Sequence, residues 1–205
     1  MKQTFRLFLS LLFLSVSLPL LVWGFWPPRR ETVVLPLLPA PGMPSLPEAR
    51  TIRLEFSPVM RAGDSQIVEL NLTADGEATD TSLYEEYRVI AEARLELPFA
   101  NVRPADVVST ALVGQGGAAT FYWEAAPREQ GVSRGTAWLY LRLVPQAGGP
   151  AGETRGAVSA QSVAIRSRSV LGRTGSQARA MGVVGVIVGL VMGIPFARER
   201  RALRK

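Results

Sequence analysis

The chain carries two uncharged apolar runs, one near each end, and they constrain its fold more than any other feature. Residues 7–26 contain no charged side chain, and neither do residues 180–197. As helices these runs are about 30 Å and about 27 Å long, close to the thickness of the apolar core of a bilayer. The sequence therefore predicts two transmembrane helices that flank everything between them.

The first run has the features of a signal anchor that stays attached. A cleaved signal peptide is the alternative, because Ser15 and Ser17 form a pair of small residues after a leucine-rich stretch. The residues that follow remain apolar, however, and end in Trp23 and Trp26, whose side chains favour the outer interface of a membrane. We therefore expect an uncleaved anchor.

The net charge of +6 comes entirely from the two ends of the chain. Residues 27–179 contain sixteen arginines and sixteen acidic residues, whereas Lys2 and Arg6 precede the first run. A basic tail follows the second run. It has one acidic residue, Glu199, and five basic residues: Arg198, Arg200, Arg201, Arg204 and Lys205. Nucleic-acid binding needs positive charge on a folded face, whereas basic residues beside apolar runs mark the cytoplasmic side of a membrane. The pattern predicts no nucleic-acid partner, cytoplasmic termini, and a middle segment outside the cytoplasm.

Glycines recur along the second run at positions that share one face of a helix. Gly185, Gly189 and Gly193 are spaced by four residues, and Gly182 precedes them by three. Such a stripe lets a second helix backbone approach closely where no hydrophobic force drives association. These glycines are the predicted helix-packing site. The partner is the first helix of the same chain, a second copy of the chain, or another protein.

From residue 51 to residue 169 apolar and polar residues alternate, which is typical of half-buried strands. We place seven short strands near residues 52–56, 67–72, 87–97, 107–112, 120–124, 138–143 and 158–166. This pattern predicts an all-β domain, an antiparallel immunoglobulin-like β-sandwich. The chain has no cysteine, so packing has to stabilise the sandwich. Trp123 and Trp138 are the predicted central side chains of its core.

These predictions divide the chain into seven segments. In order they are a cytoplasmic N-terminus (1–6), a transmembrane helix or signal anchor (7–26), a proline-rich stalk (27–50), an extracytoplasmic β-sandwich (51–169), a linker (170–179), a transmembrane helix (180–197) and a basic cytoplasmic tail (198–205).

The absence of histidine and cysteine excludes several kinds of chemistry. A Ser-His-Asp nucleophile, a thiolate and an imidazole metal ligand all require residues that the chain lacks. Candidate acids remain, in a loop and in a predicted strand: Asp75, Glu77, Asp80, Glu85 and Glu86. The loop lacks an EF-hand pattern, and neighbouring residues of a strand point to opposite faces. We therefore predict no catalytic residue, no cofactor and no metal site, and interpret Gly63-Asp64-Ser65 as a turn in which Asp64 bonds to its own backbone.

Two stretches, TIRLEFSPVMRAGDSQIVELNLT and FYWEAAPREQGVSRGTAWLYLRL, carry a resemblance. They resemble segments of uncharacterised bacterial membrane proteins that have one immunoglobulin-like domain outside the cytoplasm. The matching residues are Gly63, Asp64, Trp123, Pro127, Gly131 and 139–143. The resemblance covers under a quarter of the chain, and it implies a fold and a location but no activity.

Two classes of function fit this organisation. The first is a non-enzymatic interaction or assembly module in the bacterial cytoplasmic membrane, with a protein partner or a homo-oligomer formed through the C-terminal helix. The second is a carbohydrate- or ion-binding domain, or a carboxylate hydrolase of the cell envelope, which would use acids such as Asp75, Glu77, Glu85 and Glu86. We expect the first, because no convergent set of polar residues is visible in the sequence.

Overall fold

The computed structural model describes residues 2–38, 41–76, 81–111, 116–146 and 152–202, with side chains from residue 5 to residue 193 of these ranges. The chain divides into two compact units. The sandwich unit comprises Arg29–Met60 and Ser65–Ser167, and the helical unit comprises Met1–Pro28, Arg61–Asp64 and Arg168–Lys205.

The protein is mostly β. In chain order its elements are α1 (Lys2–Phe25), β1 (Glu31–Pro36), β2 (Arg50–Phe56), β3 (Val59–Arg61), β4 (Gln66–Ala74), α2 (Ser82–Glu86), β5 (Tyr87–Glu96), β6 (Ala100–Arg103), β7 (Val108–Ala111), β8 (Ala119–Pro127), β9 (Gly131–Pro145), β10 (Thr154–Arg168) and α3 (Gly175–Ala202). One sheet has the strand order β1-β2-β4-β8-β6, and the other has the order β3-β10-β9-β5-β7.

The hydrophobic core lies between the two sheets and follows the alternation of the sequence. On β2, β4 and β5 buried apolar side chains recur at every second position, and the side chains between them are half-buried or exposed. The exceptions are Arg50, which is buried at the start of β2, and Glu92, which is buried on the outer face of β5. Phe121 and Trp123 enter the core from β8, stacked with ring centroids 6.2 Å apart, and Leu139 and Leu141 enter from β9. Trp123 is fully buried. Both sheets therefore contribute to one core, as a sandwich requires.

The structure adds strands that the sequence pattern did not predict. The seven predicted strands correspond to β2, β4, β5, β7, β8, β9 and β10. The segment interpreted as a stalk contains β1, which pairs with β2 in an antiparallel register from Glu31↔Phe56 to Pro36↔Thr51. The stalk interpretation is therefore wrong for Glu31–Pro36, and an edge position accommodates the proline at the end of this strand.

The prediction that Trp138 lies in the core is wrong. On β9 the side chains of Ala137, Leu139 and Leu141 point inward, so the intervening Trp138 lies half-buried on the outer face. Its indole nitrogen donates a hydrogen bond to Glu96 Oε2 at 3.1 Å, and its ring stacks on Tyr140. Alternate residues of a strand face opposite sides of the sheet, so the position of Trp138 along β9 places it on the outer face despite its large apolar ring.

The helical unit contains two helices long and apolar enough to cross a membrane, Phe5–Phe25 and Gly175–Gly193. Helix α3 begins inside the predicted linker, because Thr174 and Gln177 form a capping box. The Gln177 N–H donates to Thr174 Oγ1 at 3.3 Å, and the Thr174 N–H donates to Gln177 Oε1 at 3.2 Å. The helix then continues through the predicted run as far as Ala202.

Candidate helix-packing site

The four predicted glycines of α3 lie against α1 of the same chain. A Cβ at Gly182 would lie 2.9 Å from backbone atoms of Leu21, and one at Gly189 would lie 2.9 Å from Leu14 Cγ. Gly185 is closest to Ser17, and a Cβ at Gly193 would lie 3.2 Å from Ser10 Oγ. Positions further along α3 thus meet earlier positions of α1. The two helices are antiparallel.

The contact requires glycine because the two backbones are so close. At Gly182 the nearest atoms belong to the main chain of Leu21, which cannot rotate away from an added side chain. At Gly185 a Cβ would overlap the hydroxyl of Ser17, whose side chain is buried. Ser10 donates a hydrogen bond to the carbonyl oxygen of Gly189 at 2.6 Å. Small residues that allow close approach, together with a hydroxyl bonded across the interface, are typical of helix pairs in membranes.

Three of the basic residues predicted to set the topology lie at one end of this helix pair. Since α1 and α3 are antiparallel, the N-terminal end of α1 and the C-terminal end of α3 are on the same side. The C-terminal end of α3 includes Arg198, Arg200 and Arg201. Arg204 and Lys205 lie outside the described residues.

An ionic cluster lies at the opposite end of the helix pair. Asp64 receives hydrogen bonds from Arg61 Nε at 2.7 Å and from Arg179 Nη2 at 2.8 Å. Arg179 also donates to the carbonyl oxygen of Gly24 at 3.2 Å. Asp64 is therefore bonded to both arginines, and Arg179 connects α3 to the last turn of α1.

The two arginines also bind carbonyl groups that a helix end leaves without partners. Arg61 Nη1 donates to the carbonyl oxygens of Trp23, at 3.0 Å, and Trp26, at 2.6 Å. The C-terminal carbonyls of a helix carry partial negative charge, so cations there are favourable. The cluster thus caps α1 with charged side chains.

The prediction of a turn at Gly63-Asp64-Ser65 is confirmed, but the predicted role of the Asp64 side chain is wrong. Gly63 has φ +79°, and the Asp64 N–H donates to the carbonyl oxygen of Arg61 at 3.2 Å. The carboxylate bonds to arginines instead of its own backbone. Burial alone would raise the pKa of Asp64, but hydrogen bonds from Arg179 and Arg61 and the charges of both hold it below the ordinary value.

A second polar cluster is buried in the sandwich unit. The side chains of Glu48 and Arg50 are fully buried and form an ion pair. Tyr84 donates to Glu48 Oε1 at 2.5 Å, and Arg50 Nη1 donates to the carbonyl oxygen of Gly117 at 2.5 Å. Burial and the neighbouring Glu48 carboxylate raise the pKa of Tyr84. No periodic signal marks these residues, and sequence reasoning missed both polar clusters.

The acids considered for catalysis or metal binding do not form a site in the described part of the chain. Asp75 directly follows β4, is exposed, and accepts a hydrogen bond from Thr51. Glu85 and Glu86 are exposed on α2, so their predicted placement on a strand is wrong. Glu77 and Asp80 lie outside the described residues, and within those residues no three acids form a group that could hold a metal ion.

Comparison with known proteins leaves the family open. No family model matches the chain, and no curated protein matches it. Among solved structures, the chain is similar to the ASH / PapD-like domain of human CEP192 (PapD-like domain 7). The identity is 12%, the match covers 65% of this chain and 95% of that domain, and the TM-score is 0.32.

Proposed function

We propose that the protein is a non-enzymatic, membrane-anchored interaction module of the bacterial cell envelope. In this proposal α1 and α3 cross the cytoplasmic membrane as a hairpin with both termini in the cytoplasm. The sandwich, of immunoglobulin-like type, faces outside and binds a protein partner, as an accessory subunit of a membrane complex would.

The observation that carries the proposal is the antiparallel helix pair. It joins two apolar helices through glycines, and its basic ends are on one side. Among the described side chains of residues 5–25 and 180–193, Arg6 is the one with a charge. A glycine contact of this kind associates helices in lipid, and basic residues at one end agree with a cytoplasmic location of that end.

The partner is assigned to the sandwich and not to the glycine face. The predicted helix-packing glycines, for which α1, a second copy and another protein were all candidate partners, meet α1 of the same chain. An oligomer through that face would have to displace α1. Sheet edges and loops of a sandwich bind partners without requiring such a change.

The test uses the fact that the chain has no cysteine. Membranes are washed at alkaline pH, which leaves integral proteins in the pellet. Single-cysteine variants Ser162→Cys, at an exposed position of β10, and Gln3→Cys are then labelled in intact cells with a membrane-impermeant maleimide. We expect the protein in the pellet, with label on residue 162 and with residue 3 labelled only after the cells are opened.

Two results would contradict the proposal. Release of the protein by the alkaline wash would show that the helices do not span a membrane. Labelling of residue 3 in intact cells, with residue 162 protected, would invert the topology.

A further inference from the structure

The sandwich unit has a cleft lined by three arginines. Its volume is about 600 Å³, within the range of ligand-binding clefts. Arg94 comes from β5, Arg103 from β6, and Arg128 from the turn after β8. The floor includes Leu97 and Ala100, which are buried.

The positive charge in this cleft exceeds the negative charge. Glu96 is the acidic residue among those that line it, and both carboxylate oxygens are engaged, one by Arg94 at 3.3 Å and the other by the Trp138 indole. Arg103 and Arg128 have no ion pair among the described residues. Glu124 lies opposite Arg103 in the strand register but does not line the cleft. In the described part of the chain, these two guanidinium groups thus have no ion-paired countercharge.

One of these arginines is held in position by a neighbour. Arg128 Nε donates to Asn101 Oδ1 at 2.8 Å, and Arg128 N–H donates to the carbonyl oxygen of Phe99. The bond through Nε leaves the terminal nitrogens of Arg128 open to a ligand. A guanidinium group binds a carboxylate through two parallel hydrogen bonds, and holding the group in place reduces the entropy lost on binding.

An exposed aromatic residue lies in the loop that forms part of the cleft. Phe99 follows Leu97 and Pro98, and 66% of its surface is accessible to solvent. Arginine and aromatic residues are the types that contribute most to protein–protein interfaces. A partner peptide can place carboxylates on the arginines and an apolar side chain against Phe99.

We propose that the Arg94–Arg103–Arg128 cleft binds an acidic segment of a partner protein. This inference rests on the proposed interaction function and names the chemistry of the partner. Arg103 and Arg128 bind carboxylates of the segment, and Phe99 contacts one of its apolar residues.

The test measures peptide binding to the full chain, purified in a non-ionic detergent. The probe is a dye-labelled eight-residue peptide of alternating Glu and Leu, followed by fluorescence anisotropy, and the same peptide with Gln for Glu is the uncharged control. The variant Arg103→Gln/Arg128→Gln is compared with Arg53→Gln/Arg88→Gln, which removes the same charge from exposed positions away from the cleft. Sodium polygalacturonate serves as an acidic polysaccharide competitor.

We expect the Glu/Leu peptide to bind more tightly than the Gln/Leu peptide. Loss of charge-assisted hydrogen bonds in the cleft variant should weaken binding about tenfold or more, and the control variant should change it less than about threefold. Binding should also weaken with added salt. Equal binding by both peptides, or by both variants, would overturn the proposal, and so would tighter binding of polygalacturonate, which would make the cleft a polysaccharide site.

The outcome is separable from that of the proposed function. A protein that stays in the alkaline-washed membrane pellet but does not discriminate between the two peptides retains its anchor role and loses only the acidic partner.

Discussion

Replacing Gly182 by leucine tests the helix pair most directly. A Cβ at this position would lie 2.9 Å from the backbone nitrogen, Cα and Cβ of Leu21, whereas carbon atoms in contact prefer about 3.5–4.0 Å. The helices must therefore separate locally by about 1 Å. Overpacking of this kind costs about 1–3 kcal/mol, and the better helix propensity of leucine offsets up to about 1 kcal/mol of it.

Because the nearest atoms include the backbone of Leu21, we take the upper half of this cost, about 2–3 kcal/mol. The net effect is then a loss of about 1–2 kcal/mol, or about a 5- to 30-fold fall in the equilibrium constant for helix pairing. The assay is disulfide trapping between Ser10→Cys and Gly193→Cys, since a Cβ at residue 193 lies 3.2 Å from Ser10 Oγ. The fraction of chains trapped by the disulfide is measured in mixed micelles that contain SDS. The SDS concentration is the one at which half of the parent double-cysteine chains are trapped. Gly182→Leu should lower the ratio of trapped to free chains by that factor.

A matched control separates the interface from the helix. Val191→Leu adds bulk on the same helix at a position that is 59% exposed and does not face α1, so it should leave trapping unchanged. Trapping that is equal or greater in Gly182→Leu than in the parent would refute the packing of α1 against this glycine.

Three further predictions concern the free energy of unfolding of the full chain. Trp123→Ala should lower it by about 3–5 kcal/mol, whereas Trp138→Ala should cost less than about 1.5 kcal/mol, and equal losses in chemical denaturation would contradict the assigned faces of β8 and β9. The pKa of Asp64 is lowered from 3.8, so its ion pairs stabilise the fold above that value. This stability should be lost as pH falls through the folded-state pKa. Asp64→Asn should remove that part of the pH dependence of stability, and an unchanged pH profile would argue against the cluster. Glu48→Ala should cost about 3–5 kcal/mol, because it leaves the charge of Arg50 buried without a partner, while Glu48→Leu combined with Arg50→Met should recover most of the loss. A double variant less stable than Glu48→Ala would contradict this reasoning.

Of the seven strands that the sequence predicts, all but β7 have buried residues on one face. Their apolar residues recur every second position, because inward and outward side chains alternate along a strand. The predictions failed where this signal is absent. β3 and β6 have three and four residues, too few to show a clear alternation. β1 lies among prolines, which a sheet edge tolerates but which are typical of a linker. Trp138 was placed by its size, although the parity of Ala137 and Leu139 assigns it to the outer face.

The contacts of the candidate sites depend on the tertiary fold and could be predicted only in part. The glycine spacing indicated a packing face on α3, since residues four apart share a helix face, but not which helix would occupy it. Asp64 and Arg179 are 115 residues apart, and no local pattern connects them. The start of α3 was within reach of sequence reasoning, because Thr174 and Gln177 have the spacing of a capping box.

The pairing of α1 with α3 imposes an order on biosynthesis. Ser10 and Gly189 form a hydrogen bond across 179 positions of the chain. At a synthesis rate of about 5–20 residues per second, roughly 10–35 s pass between the emergence of these two residues. During that interval the face of α1 that carries Ser10 and Ser17 has no α3 to contact. Helix α1 therefore cannot form this contact until α3 has been synthesised. A chain that stops before α3 leaves the ribosome with the serine face of α1 uncovered.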